Sequence, residues 1–280
     1  MIEVAHGAYW AALGANGMAA LLYAIGAIFQ RRRVGDFGAL VVILGITLLT
    51  ASLALRWGAT GHGPYIGRYE ALGSYAWVLM ASYLLLQWKV ALLRLAGAGV
   101  IAVGFLLLGA GVLSPAAPQF ESPALRSAWL WTHVGLAKIA LASLVLAAGA
   151  SVAYLRRVKA SVKAQEGSPT SDTSWEGGLG RLEELSVRLT SLGFLLLAVV
   201  IGAGALWANT AWGSYWSWDP IEVWALATWV LYGLALHLHR LWHFAGVRWA
   251  YLSVGTLAAS GFLFVVTRLL ALSPHWIYLG

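Results

Sequence analysis

Residues 36–56 read "DFGALVVILGITLLTASLALR", an apolar run closed by a charge at each end. A membrane-spanning helix needs about 20 mostly apolar residues at a rise of roughly 1.5 Å each. The run lacks the alternation of a transmembrane strand, so it predicts a helix across a bilayer. Seven more segments of this kind lie at 8–29, 70–90, 95–113, 128–155, 184–206, 220–242 and 248–271. Composition agrees: 60% of the 280 residues are hydrophobic and 10% are charged, with a mean hydropathy of +0.76. A soluble domain carries about 25% charge. The expectation is one all-α polytopic membrane domain over residues 1–280, with about eight helices and no room for an independent globular unit.

The basic residues orient these helices. Arg31, Arg32, Arg33, Lys89, Arg94, Arg156, Arg157, Lys159, Lys163, Arg181, Arg240 and Arg248 all fall on one side if eight helices alternate. By the positive-inside rule that side is the cytoplasm. Both termini and the loops at 57–69, 114–127 and 207–219 are then exterior. The location implied is the inner (cytoplasmic) membrane, with multiple passes. The formal charge of +7 reflects such cytoplasmic loops rather than a nucleic-acid partner. Segment 157–180, polar and rich in Ser, Gly and Thr, reads as a flexible cytoplasmic linker. The start, "MIEVAHGAYW", has no basic region and no evident cleavage site follows, so the first run is expected to stay as a membrane helix. Cysteine is absent, which excludes disulfides, thiolate ligands and thiol redox steps by this chain.

Chemistry concentrates at 207–222, "WANTAWGSYWSWDPIE". Its end has a local explanation. Asp219 is a favoured N-cap, Pro220 suits the first helical position, and Glu222 completes a capping-box pattern. Trp207, Trp212, Trp216 and Trp218 fall within twelve residues, with Trp224 and Trp229 just beyond. An interfacial aromatic belt accounts for two or three indoles around a protein, whereas these form a patch.

Two histidines fall at the same membrane face. His133 lies in "SAWLWTHVGLAK", about one turn inside the fifth segment, and His275 lies in "LSPHWIYLG", just past the eighth. Each alone reads as an interfacial polar residue; the two beside an aromatic platform fit axial ligation of a haem iron. His237 lies about 17 residues beyond Pro220, roughly 25 Å along the helix, and an ionisable residue there points to function. His239 and His243 share a helix face but read as solvated or headgroup-facing. Lys138 is expected to point into the bundle, toward Glu70, Glu121 or a ligand carboxylate. No P-loop, dinucleotide-binding glycine motif, HExxH or GxSxG occurs in a fitting context. A transporter of another amphipathic substrate and a purely structural membrane subunit both remain compatible with these residues.

"WGSYWSWDPIEVWAL" resembles the tryptophan-rich WWD signature of haem-handling proteins in cytochrome c maturation. The nearest resemblance is to the CcsA/ResC type of the System II pathway. "GPYIGRYEALGSYAW" at 63–77, His133 in its context and a histidine after the last span agree with it. The related CcmC type, a haem-delivery protein of about six spans, shares the signature but fits less well. The resemblance implies a subunit of a holocytochrome c synthase that holds haem b at an exterior site for attachment to the CXXCH thiols of apocytochrome c. It implies His133 and His275 as iron ligands, with Trp207, Trp212, Trp216, Trp218, Asp219 and Trp224 around the haem. His237 is implied as an inner haem ligand, His239 being an additional histidine. It also implies a CcsB/ResB-type partner subunit, which this chain does not contain.

Overall fold

The computed structural model describes residues 1–29, 31–117, 123–165 and 174–270. Among them the chain forms eight α-helices and no strand: α1 (Ile2–Ile28), α2 (Arg32–Thr60), α3 (Gly67–Lys89), α4 (Gly97–Val112), α5 (Ala128–Gln165), α6 (Ser174–Trp212), α7 (Pro220–Leu241) and α8 (Val247–Leu270). Short 3-10 turns at Ala91–Ala96 and Pro123–Arg126 precede α4 and α5. Each segment expected to span the bilayer coincides with one of the helices, and the chain is an all-α polytopic membrane protein.

Among the described residues seven helical stretches are long and apolar enough to cross a membrane by length and composition, α4 together with the 3-10 turn that precedes it (Ala91–Val112) counting as one. The exception is α3, whose sequence includes Arg68, Glu70, Gln87 and Lys89. Its polarity goes with its position: eleven of its 23 residues are buried, more than lipid-facing helices bury. Polar side chains are tolerated at membrane depth where they face protein rather than lipid.

Several helices outrun the expected boundaries. α5 has 38 residues and α6 has 39, about 57 Å each at 1.5 Å per residue, nearly twice a hydrocarbon core of roughly 30 Å. The segment expected as a linker over 157–180 is therefore helical at 157–165 and 174–180, and 166–173 lies outside the described residues. α6 likewise continues through Trp212, which places Trp207 and Trp212 on a helix and leaves only 213–219 as the connection to α7.

α1 and α2 form one hairpin and α5 and α6 another; α3 and α4 lie between them, and α7 packs against α6 and α8. The core at their meeting is made by Tyr9, Leu49, Tyr83, Ile101, Leu108 and Leu146, all nearly or fully buried. Polar bonds fix the helices in register. Tyr23 OH donates to Gln87 Oε1 at 2.8 Å, joining α1 to α3. Ser151 Oγ and Ser186 Oγ meet at 2.8 Å while Trp249 Nε1 donates to Ser186 Oγ at 3.0 Å, joining α5, α6 and α8. Such bonds between helices contribute about 0.6 kcal/mol each in lipid, so their main effect is on register.

Candidate functional site

The C-termini of α2 and α6 and the N-termini of α3, α5 and α7 meet at one end of the bundle. α6 ends as Gly213 takes φ +78, a left-handed conformation that glycine adopts without penalty. Six residues later Asp219 caps α7, its Oδ1 accepting from the Ile221 N–H at 2.7 Å and the Glu222 N–H at 3.1 Å. The expected cap is thus present. Glu222 behaves differently from a simple capping box: its Oε2 accepts from the Ser217 N–H at 2.8 Å, two residues before the cap.

Between those two clamped positions sits Trp218, at φ +58. A non-glycine residue there costs roughly 1–2 kcal/mol. The conformation throws the indole outward, 71% exposed. Its neighbour Trp216 lies edge-on, with ring centroids 5.8 Å apart at 88°, and keeps a buried Nε1 without a hydrogen-bond acceptor among the described residues. Trp207 and Trp212 form a second edge-on pair at 5.2 Å on α6. Trp224 turns elsewhere, donating from Nε1 to the Ser260 carbonyl at 2.9 Å and packing on Phe264 of α8. Trp229, whose Nε1 is also buried without an acceptor among the described residues, stacks on Phe194 at 5.0 Å.

His133 stands on α5 against α6. Its Nδ1 lies 2.8 Å from the Val200 carbonyl oxygen. A carbonyl only accepts, so Nδ1 carries a proton, and in the neutral ring the lone pair is on Nε2. This is the arrangement by which a backbone carbonyl fixes the tautomer of a metal-binding histidine. The ring comes this close because residue 204 is glycine: a Cβ there would stand 2.7 Å from His133 Nδ1.

The stretch at 63–66 completes the aromatic wall. Tyr65 and Ile66 are buried with Leu125, Leu130 and Trp207, and Trp212 packs on that cluster. Tyr65 lies 4.3 Å from the Trp131 ring, and a Cβ at Gly63 would meet Trp131 at 2.6 Å. Sequence reading joined His133, the indoles and residues 63–77, and the structure brings them to one end of the bundle. His275 lies outside the described residues.

The other histidines separate. His239 is held by the Phe244 carbonyl, 2.9 Å from Nδ1, and by the Trp249 ring at 4.7 Å. His237 is exposed, its Nδ1 bonded to the Gly233 carbonyl of its own helix at 2.8 Å. It lies on a face of α7 with the exposed Val230, Leu234 and Leu241. No group of three or more metal-binding side chains occurs among the described residues.

Sequence reading missed Gly204, the Glu222–Ser217 bond and a buried Arg56–Glu70 ion pair of 2.5 Å. The last had a signal, since both residues flank the 57–69 loop. The other two depend on contacts that local sequence does not encode.

Comparison with known proteins decides the family. Residues 65–275 match the model described as "Cytochrome C assembly protein". The chain belongs to the cytochrome c assembly family. Relatives named cytochrome c biogenesis protein CcsA are similar along most of their length. That of Synechococcus sp. (strain CC9902) is 36% identical over 262 residues, covering 84% of each chain. That of Parasynechococcus marenigrum (strain WH8102) is 34% identical, covering 91% of this chain and 90% of its own. That of Guillardia theta is 35% identical, covering 87% and 84%. Within the family this chain is of the CcsA type, with a role in cytochrome c maturation.

Proposed function

We propose that this CcsA-type chain is the haem-presenting membrane subunit of a cytochrome c synthase, holding haem b at the Trp-rich end for attachment to an apocytochrome CXXCH motif. The observation that carries the reading is His133: its proton is fixed on Nδ1 by Val200 and its Nε2 lone pair is suited to iron, beside the WWD indoles. His275 is assigned as the opposite ligand. Trp216 and Trp218, set edge-on, offer the ring edge and face that a flat macrocycle packs against. The buried Trp216 N–H has a donor to give, and burying it unpaired costs about 1–3 kcal/mol. Bound haem supplies the vinyl groups to which the thiols add; the chain supplies orientation and control of the iron.

His237 is assigned as the inner ligand in preference to His239: both keep Nδ1 on a backbone carbonyl, but the His239 ring is half-buried against Trp249 whereas His237 faces outward. A histidine among apolar residues on a lipid-side face is expensive unless something covers it. A CcsB/ResB-type partner subunit is the proposed cover. The Trp-rich end is proposed to face the periplasm, with both termini on that side, following the basic residues at the opposite end.

The test is the absorption spectrum of the protein purified with its partner. A bis-histidine haem spectrum is expected, and it is lost in the His133→Ala, His275→Ala double variant. Retention of that spectrum in the double variant would overturn the ligand assignment. Absence of any Soret band in the wild type would favour a transporter of another amphipathic molecule.

A further inference from the structure

The family match begins at residue 65, so α1 and α2 lie outside it, yet one of their side chains reaches into the matched region at its most buried charge. Arg56, on the last turns of α2, donates from Nε to Glu70 Oε1 of α3 at 2.5 Å, and the two side chains are 4% and 3% exposed. The Arg56 guanidinium also covers the Tyr69 ring at 4.8 Å, and Tyr69 stacks at 4.4 Å on Tyr9 of α1. The other carboxylate oxygen of Glu70 lies 3.5 Å from His62 Nδ1. Lys138 of α5, within electrostatic reach of Glu70, donates to the Pro64 carbonyl at 3.1 Å.

These contacts converge on the turn at 61–66. The Pro64 carbonyl accepts from Lys138 and from Ser74 Oγ, the latter at 2.9 Å, while Glu70 stands beside His62, whose Nδ1 bonds to the Gly63 carbonyl at 3.1 Å. The next two residues, Tyr65 and Ile66, are the ones that pack on Trp131 and Trp207. A buried ion pair is poor evidence of stability, because desolvation offsets most of the attraction and an apolar pair of similar volume often replaces it without loss. What a paired charge does supply is a fixed separation and direction. The turn needs that, since Gly63 and Tyr65 both lie close against Trp131 and leave little room for the turn to shift.

We infer that the buried Arg56–Glu70 pair, with Lys138, is the positioning device through which the α1–α2 hairpin fixes the 61–66 turn and hence the indole wall of the haem site. The inference rests on the haem reading above. None of the three residues is a ligand; they act through Tyr65, Ile66 and Trp207.

The test uses the full chain with its partner and reads haem per protein, the absorption maxima, the midpoint potential and thermal unfolding. Glu70→Gln leaves two cations without their anion and is expected to lower the folded yield. The Arg56→Met, Glu70→Leu double variant leaves no unpaired guanidinium, while Lys138 keeps its bond to the Pro64 carbonyl, and it is expected to unfold at a temperature close to that of the wild type. It is nevertheless expected to hold about tenfold less haem, with shifted maxima and potential, as when a group that orients a ligand is removed. Arg56→Lys, which keeps the charge, is expected to recover most of the haem that Arg56→Met loses. Wild-type haem content and potential in the folded double variant would overturn the inference and leave the haem reading standing. A wild-type protein without haem would overturn both.

Discussion

Gly204 and Trp218 are the residues at which backbone conformation and function meet. Any side chain at 204 collides with His133, so Gly204→Ala is expected to rotate the imidazole off the Val200 carbonyl and lower haem binding about tenfold. Gly202, two residues away, has open space where a Cβ would stand, and Gly202→Ala is the matched control; equal loss in both would remove the orienting role of Val200. Trp218 carries the reverse trade. Trp218→Gly relieves the left-handed strain of roughly 1–2 kcal/mol while removing an exposed indole. The expected result is an unchanged or raised melting temperature together with a weaker haem spectrum. A lowered melting temperature would show that the indole serves packing instead. His133 and Trp218 were both legible from sequence as candidates. The partners that give them their geometry were not, because Val200 lies 67 positions from His133 and φ at 218 is set by two carboxylates acting together.

At the scale of the element, the start of α7 separates capping from chemistry. Asp219 satisfies two backbone N–H groups, so Asp219→Ala is expected to destabilise by about 1 kcal/mol. Asp219→Asn and Asp219→Ser, which still cap, are expected to keep both stability and haem. Loss of haem in a stable Asp219→Asn variant would give the carboxylate a role beyond the cap. The cap was readable because it is local: Asp, Pro and Glu within four positions specify it. Helix ends were less readable. Residues 156–165, "RRVKASVKAQ", are polar enough to suggest a linker, but Arg, Lys, Ala and Gln are strong helix formers and α5 runs through them. Polarity marks where a helix leaves the bilayer, not where it stops. The same point explains α3, whose charges depress its hydropathy while its burial makes it central.

For the whole molecule, the arrangement of eight helices with twelve of the eighteen basic residues assigned to one side gives a proposed topology that the cysteine-free sequence makes simple to test. A single cysteine at Tyr215, 57% exposed, is expected to react with a membrane-impermeant maleimide in intact spheroplasts. One at Arg33 is expected to react only after permeabilisation. The opposite pattern would invert the proposed orientation. Fold class was legible because apolar runs of about 20 residues have few other uses. The grouping of the helices was not, since lipid-facing and protein-facing surfaces are similarly apolar and close packing decides between them.

The two longest helices have a further consequence. His133 rides near one end of α5, and Trp207 and Trp212 ride on the matching end of α6, while both rods continue well past the bilayer at the opposite side. Part-way along the pair, Ser151 Oγ and Ser186 Oγ meet at 2.8 Å. From that contact to His133 is 18 residues, about 27 Å, so a change of only about 2° in the angle between the two helices would displace His133 from α6 by roughly 1 Å. A misplacement of about 1 Å is enough to cost a reaction two orders of magnitude in rate. A partner that sets the angle between α5 and α6 at their far ends would therefore reach the His133 site without touching it.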